Sequence, residues 1–457
     1  MLRRCAINFL LVLASVCGWA RTRPLYGGTL HVEIEGDAWQ RPDGLARRLV
    51  LDGLTRAGAD GVQPALAIEW KSDNDDHRWQ FKLRPGVHFQ DGAPLTSVAV
   101  VGGLNAACPQ NCPWTAVRAV GSAVVFTSDA AMPNLPELLA GDEFLIALTV
   151  TSEGKTPENV IGTGAFQVLS NANSVLMLTA NETCWQGRPF LDAVEIRTHR
   201  AIRDQWLDLS VGRADLVEVP ADQLRQAQQQ RMTVLTSGAV SMLALQMTDS
   251  GALGNPLLRE SMALAVDRAA LENVIFQKQG EVTASLLPEA MTGYAFLFPV
   301  ERNLAKAQEL RGGLTPPPLT LAADGDGTMQ LAAQRIALNL HEAGYNVQVR
   351  AASGQHADLL LRRYALESAE PRAALEGMLR AAGMPAPGID GTPDALYQAE
   401  RDALERHTLV PLLDLPRSFA ISERVRDLRL EEDGTPDIAD ASLQDSTGVR
   451  SGPGAAP

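Results

Sequence analysis

The stretch WQFKLRPGVHFQDGAPLTSVAV, residues 79–100, admits few folds. Trp79, Phe81 and Leu83 alternate with Gln80 and Lys82, so a strand here buries one face at a period of two. Arg84-Pro85-Gly86 sets a turn with Pro at its first central position and Gly at its second. Val87 and Phe89 resume the alternation, and Asp91-Gly92 marks another turn. Pro94-Leu95-Thr96 then leads into SVAVVGGLNAA, with Thr96 placed to cap a helix. None of these residues is a catalytic type in a catalytic spacing. The stretch reads as scaffold, and the rest of the chain has to say what it supports.

Elsewhere the pattern is mixed. GGTLHVEI, residues 27–34, predicts a strand and RRLVLDGL, residues 47–54, a short helix. IGTGAFQVL, residues 161–169, is a glycine turn entering a strand, and residues 174–179 read as its partner. FLDAVEIRT follows as a further strand, and residues 206–216 as a helix leading into LVEV. VSMLALQM, residues 240–247, suits a central strand or a hinge. Asn255-Pro256 opens a helix with Pro at its first position. Residues 319–352 run strand, glycine-rich turn, helix, Gly344, strand, which is a βαβ unit. Hairpins crowd the first half and helix–strand alternation the second, so the expected class is α/β: two lobes plus a mainly β subdomain. The tail, residues 433–457, is small and polar and is expected to be disordered.

With 457 residues, 46% of them apolar, the chain can bury more than one domain's core. The formal charge of −14 argues against nucleic acid or an anionic membrane as a bulk electrostatic partner. Residues 1–20, MLRRCAINFLLVLASVCGWA, have a basic start, a short apolar run and small residues at Gly18 and Ala20, which predicts a secretory signal cleaved after Ala20. Cys17 raises lipid anchoring as an alternative, against which Val16 and Ala14 precede it. A soluble protein of the periplasm or another extracytoplasmic space is therefore expected. Cys108 and Cys112 have the option of a disulfide there or of remaining thiols, which leaves Cys184 as the odd cysteine.

Five segments, in order, resemble the bacterial extracellular solute-binding proteins of the peptide/nickel type. They are residues 79–95, GTGAFQVL, NETCWQGRPFLDAVEIR, NPLLRESMALAVDRAAL and VPLLDLPRSFAISERVRDL. The likeness runs from about Gly27 to Leu430. It implies a two-lobed Venus-flytrap fold with an extra β-rich subdomain in the first lobe, near residues 62–155. Residues 27–245 then form lobe 1, residues 246–405 lobe 2, and residues 406–432 return to lobe 1. It also implies a monomeric receptor that closes on a peptide or another small solute and hands it to an ABC transporter permease, without enzyme activity or cofactor. A diverged sensor or scaffold of the same fold is the alternative.

The departures concern the ligand. Val98 and Ala99 stand where the family carries an acidic pair, and Cys184 where an aromatic residue precedes the Trp. Tyr364 stands where a Trp is usual, which by the resemblance puts Glu367 at the position that meets a ligand ammonium. Arg362 and Arg363, after an apolar run, are candidates to grip a carboxylate or phosphate by two bonds. Trp185 and Tyr364 are candidate pocket walls. Asp324-Gly325-Asp326-Gly327 lacks the remaining ligand positions of a calcium loop and reads as a strand-to-helix turn. No histidine spacing supports zinc, and no nucleophile motif is present.

Overall fold

The computed structural model describes residues 25–39, 44–58, 61–108, 112–149, 160–294, 297–323, 327–351, 357–366, 368, 370–386 and 392–444. The signal segment with Cys17, the acidic residues Asp324 and Asp326, Glu367 and residues 445–457 lie outside them. Among the described residues, no helix is long and apolar enough to cross a membrane.

The first strand, β1 (Thr29–Glu33), alternates as its sequence predicts, with Leu30 and Val32 fully buried. Helix α1 (Leu45–Val50) follows it. The hairpin region then builds a separate four-stranded antiparallel sheet from β2 (Ala67–Ser72), β3 (Arg78–Leu83), β4 (Ala116–Val120) and β5 (Ala123–Thr127), in the order β2-β3-β5-β4. Its buried face carries Trp79, Phe81, Leu83 and Phe126, with Phe81 and Phe126 edge to face at 5.4 Å. Between β3 and β4, helix α2 (Ser97–Ala107) starts at Thr96, whose hydroxyl accepts the Ala99 amide at 3.2 Å. Val87 and Phe89 are buried as predicted but form no second strand. Two turns six residues apart leave only the isolated His88–Pro94 bridge. Cys108 and Cys112 are joined by a disulfide just after α2, their Cα atoms 5.7 Å apart.

The chain then re-enters the main sheet through β6 (Phe166–Ala172), β7 (Val175–Ala180) and β8 (Ala193–Arg197). Helix α3 (Ile202–Ser210) leads to β9 (Leu216–Glu218). Strand β1 lies between β8 and β9 and runs parallel to both. The GTG turn before β6 is explained by packing. A Cβ at Gly162 would lie 1.9 Å from the Val50 carbonyl oxygen, and one at Gly164 2.6 Å from that of Leu49. Only bare backbone lets this turn close on the end of α1.

Strand β10 (Thr233–Met247) leaves lobe 1 for lobe 2. Lobe 2 holds α4 (Pro256–Ala265), the βαβ unit of β11 (Leu319–Ala323), α5 (Gly327–Glu342) and β12 (Val347–Ala351), then β13 (Leu359–Ala365), α6 (Pro371–Ala381) and α7 (Pro393–Leu404). Strand β14 (Leu409–Ile421) returns to lobe 1. Residues 233–236 of β10 pair with residues 418–421 of β14, which also pair with β9 in lobe 1. Residues 241–247 pair with β13 in lobe 2. The β10–β14 ladder is irregular between Thr236 and Ser241, opposite Pro416 and Arg417. The lobes thus share one sheet and meet where it loses its register.

The expectation of a disordered tail from residue 433 is corrected for residues 433–444. Pro436–Asp437 pairs with Arg429–Leu430, and Ser442–Leu443 with Val425–Arg426. Ile438, Ala441 and Leu443 bury themselves in the lobe 1 core. Three apolar residues at turn-bounded positions suffice to anchor a stretch whose composition alone looks like a linker.

Candidate functional site

The broken register leaves open space between the lobes. A cavity of about 530 Å³ is lined by Glu35, Gly36, Ile202 and Glu218 to Ala221 from lobe 1, and by Phe276, Arg363 and Ala365 from lobe 2. Val240, Ser241 and Leu415 to Ser418 of the crossing strands form its base. A smaller cavity of about 100 Å³ lies alongside, sharing Val240, Ala365, Arg417 and Asp433 with the first. It is walled by Glu137, Leu138 and Gly141 to Phe144 of the β-rich subdomain, and by Ser368, Ala373, Gly377 and Arg380 of lobe 2. Together they form one cleft along the two crossing strands.

The base of the cleft is held by main-chain geometry. The Arg417 amide donates to Ser237 Oγ at 2.9 Å, and the Thr236 and Ser418 hydroxyls lie 3.0 Å apart. The Arg417 guanidinium sits 3.6 Å from Glu218 and over the Phe419 ring at 5.0 Å. Gly434, at φ 77°, packs the C-terminal loop here. A Cβ on it would lie 3.2 Å from both Arg417 Cβ and Ser237 Oγ.

Charge in the small cavity is distributed unevenly. Arg48 pairs with Asp142 at 2.6 Å, Asp433 at 2.6 Å and Glu431 at 2.8 Å. It ties α1, the subdomain and the C-terminal loop together, and these three carboxylates hold its guanidinium firmly protonated against the effect of burial. Glu137 has no such help: its Oε2 is buried without a hydrogen-bond partner among the described residues. Burial, reinforced by the charge of Glu370 across the cleft, raises its pKa above the usual carboxylate range. Glu370 itself caps α6, accepting the amides of Arg372 at 3.1 Å and Ala373 at 2.7 Å.

The sequence candidates fall in different places. Arg363 lines the larger cavity. Arg362 points to the opposite face of β13, opposite Ala244 of β10. Tyr364 is buried on that same face, where its hydroxyl donates to Gln246 Oε1 at 3.0 Å, so it packs in lobe 2 and is not among the residues lining either cavity. Trp185 packs between lobe 1 and the subdomain. Its indole donates to Asp52 at 2.9 Å and Arg84 lies 4.5 Å over its ring, which makes it a joint between cores away from the cleft lining. Sequence reasoning passed over Glu137, Arg48, Arg417 and Asp433. For Arg417 the signal was available, as the residue after Pro416 in a long apolar strand. For the others no local pattern exists, because chain segments far apart bring them together.

The comparisons with known proteins bear on the fold and the family. The probable D,D-dipeptide-binding periplasmic protein DdpA of Escherichia coli K12 is 25% identical over 357 residues, which cover 72% of this chain and 65% of DdpA. The match therefore spans less than two thirds of that relative's length. In three dimensions it resembles DppA of Helicobacter pylori in complex with the peptide STSA, with a TM-score of 0.79 at 18% identity, covering 92% of this chain and 99% of the other. It also resembles NikA of Staphylococcus aureus in complex with Ni(L-His)2, with a TM-score of 0.76 at 16% identity, covering 91% and 98%. At these identities the likeness establishes the fold alone, two-lobed and α/β. Residues 61–385 match the model of the bacterial extracellular solute-binding proteins, family 5 (middle), and the chain belongs to that family.

Proposed function

We propose that this protein is the exported receptor of an ABC importer, and that it takes a peptide or a similar small polar solute into the interlobe cleft and closes over it. The observation that carries the reading is the larger cavity, about 530 Å³, set where two crossing strands lose their register. That volume lies in the range of small-molecule sites. A ligand that contacts both walls stabilises the closed arrangement by as much as it prefers it. Arg363 on the lobe 2 wall is the residue assigned to an anionic group of the solute, with Glu35 and Glu218 opposite it on lobe 1. Glu367, which lies outside the described residues, keeps the role the resemblance implies, meeting an ammonium group of the solute, whereas Arg362 lies on the other face of its strand and is given no part in binding. Tyr364 packs in the lobe 2 core behind Arg363's strand, and Trp185, at the joint of lobe 1 and the subdomain, is given no part in binding. The reading places the mature protein outside the cytoplasm and gives it a membrane permease as partner.

Native mass spectrometry on protein beginning at residue 21, purified without refolding, tests this. The expected result is a bound mass of a few hundred daltons, released on denaturation. Fragments of peptides would name the solute class, and Arg363→Ala should then weaken their rebinding. An empty protein whose melting temperature is unmoved across a library of di- to pentapeptides and metal–histidine complexes would overturn the reading.

A further inference from the structure

One lobe 1 residue is gripped by lobe 2 from two directions. Asp222 follows β9 and precedes β10, in a turn whose neighbours Val219 and Leu224 pack in a lobe 1 cluster. Its carboxylate accepts the Thr328 hydroxyl at 2.8 Å. Thr328 is the second residue of α5, the 16-residue helix of lobe 2, so the acid also sits at the positive end of that helix. Its main-chain carbonyl accepts the side-chain amide of Gln277, again from lobe 2. Between these bonds Ala221 packs against the lobe 2 core.

The segment that presents Gln277 is irregular. Residues Leu271–Ile275 form a π-helical turn, and Gln277 and Lys278 follow with φ of 51° and 66°. Two successive non-glycine residues in the left-handed region cost conformational energy, which surrounding contacts must offset. Gln277 Oε1 is moreover buried without a partner among the described residues. Strain and an orphaned oxygen are both accepted to bring one amide to lobe 1. Pro220, Ala221 and Phe276, the immediate neighbours of these contacts, line the larger cavity.

We propose that Asp222 is a latch between the lobes: with Thr328 and Gln277 it favours the interlobe angle seen, and so sets the width of the cleft. Two covalent crossings fix the hinge axis, and the latch fixes rotation about it. The inference concerns contacts between the lobes and not the solute, so it stands or falls apart from the solute-binding reading.

The test is a distance between the lobes in unliganded full-length protein. Spin labels at Val211→Cys in lobe 1 and Leu338→Cys in lobe 2, both exposed positions, report it by pulsed electron–electron resonance. Asp222→Ala and Thr328→Val should each shift the distribution to longer or broader distances, Asp222→Ala by at least as much as Thr328→Val. The double variant should add nothing further, because both changes open one contact. An unchanged distribution in Thr328→Val, the variant least disturbing to folding, overturns the proposal. So does a double variant whose shift is the sum of two independent ones. Small-angle scattering of the unlabelled variants supplies the second reading, with a larger radius of gyration expected at unchanged helix content.

Discussion

Each lobe buries an aspartate, and the two are treated in opposite ways. In lobe 1, Asp215 is 1% exposed and takes two bonds from Arg424, both at 2.6 Å, with Ser422 Oγ at 2.8 Å and His31 Nδ1 at 3.3 Å. Burial works to raise its pKa, but the Arg424 bonds and the His31 amide outweigh it and hold the carboxyl below its ordinary value. In lobe 2, Asp414 is 6% exposed and has no cation facing it among the described residues. The groups around it are the Thr283 hydroxyl and two further acids, Glu281 and Glu400, and its Oδ1 has no partner. Burial pushes its pKa up to about 7. Similar burial therefore gives an ion in one lobe and a proton reservoir in the other, and what decides is whether a basic side chain arrives with the acid.

Breaking the lobe 1 arrangement should have the largest effect. Arg424→Ala leaves Asp215 buried without its cation and, since Arg424 is itself partly exposed, should cost up to about 3 kcal/mol, read from urea unfolding at pH 7. Because the folded pKa of Asp215 is depressed, its contribution is complete above pH 4 and fades only as pH falls through the folded value. An unchanged midpoint for Arg424→Ala would mean that the pairing contributes little.

Lobe 2 should respond in the opposite sense. With its pKa raised, Asp414 destabilises the fold once both states are ionised, above about pH 7, and this cost shrinks as pH falls toward 4. Asp414→Asn should therefore stabilise the protein at pH 8, by an amount on the order of 3 kcal/mol, and change little at pH 4. A melting temperature that moves equally at both pH values would show that the carboxyl does not titrate as described.

The smallest effect is expected at Glu137, whose carboxylate has one oxygen, Oε2, without a partner among the described residues and faces another acid, Glu370, across the cleft. Glu137→Gln should stabilise by less than about 1 kcal/mol at pH 8, and the gain should vanish as pH falls below about 4, where the carboxyl is protonated folded or unfolded. Carrying the same change into the spin-labelled protein sharpens the comparison, because repulsion from Glu370 acts between lobes and its removal should narrow the interlobe distance.

The scaffold was legible because its signals are local. Alternation at residues 79–83, the Thr96 cap, Pro256 at a helix start and the GTG turn each declare themselves within a few residues, and each is found in place. The second run of the opening stretch misled, since Val87 and Phe89 alternate and are buried without entering a ladder. The cleft was far less legible. Arg363 lines it, whereas Tyr364, one residue on, faces the opposite side of the same strand and is held by Gln246. A one-residue step in a strand reverses the side chain, and the register that decides the face belongs to the partner strand. Arg48 meets Asp433 across a span of the chain that no window of sequence covers.

The return of β14 to lobe 1 governs the order in which the molecule can be assembled. Lobe 2 lies between the two crossings and can pack its core from contiguous chain. Lobe 1 cannot, because β9 has no partner on that side until residues 419–421 arrive, about 200 residues later, and residues 425–444 must follow to fill its core. Closing so long a loop is slow. During synthesis, the N-terminal lobe therefore waits with an open sheet edge for the end of the chain, and a protein cut short before residue 419 should lose the lobe that was made first.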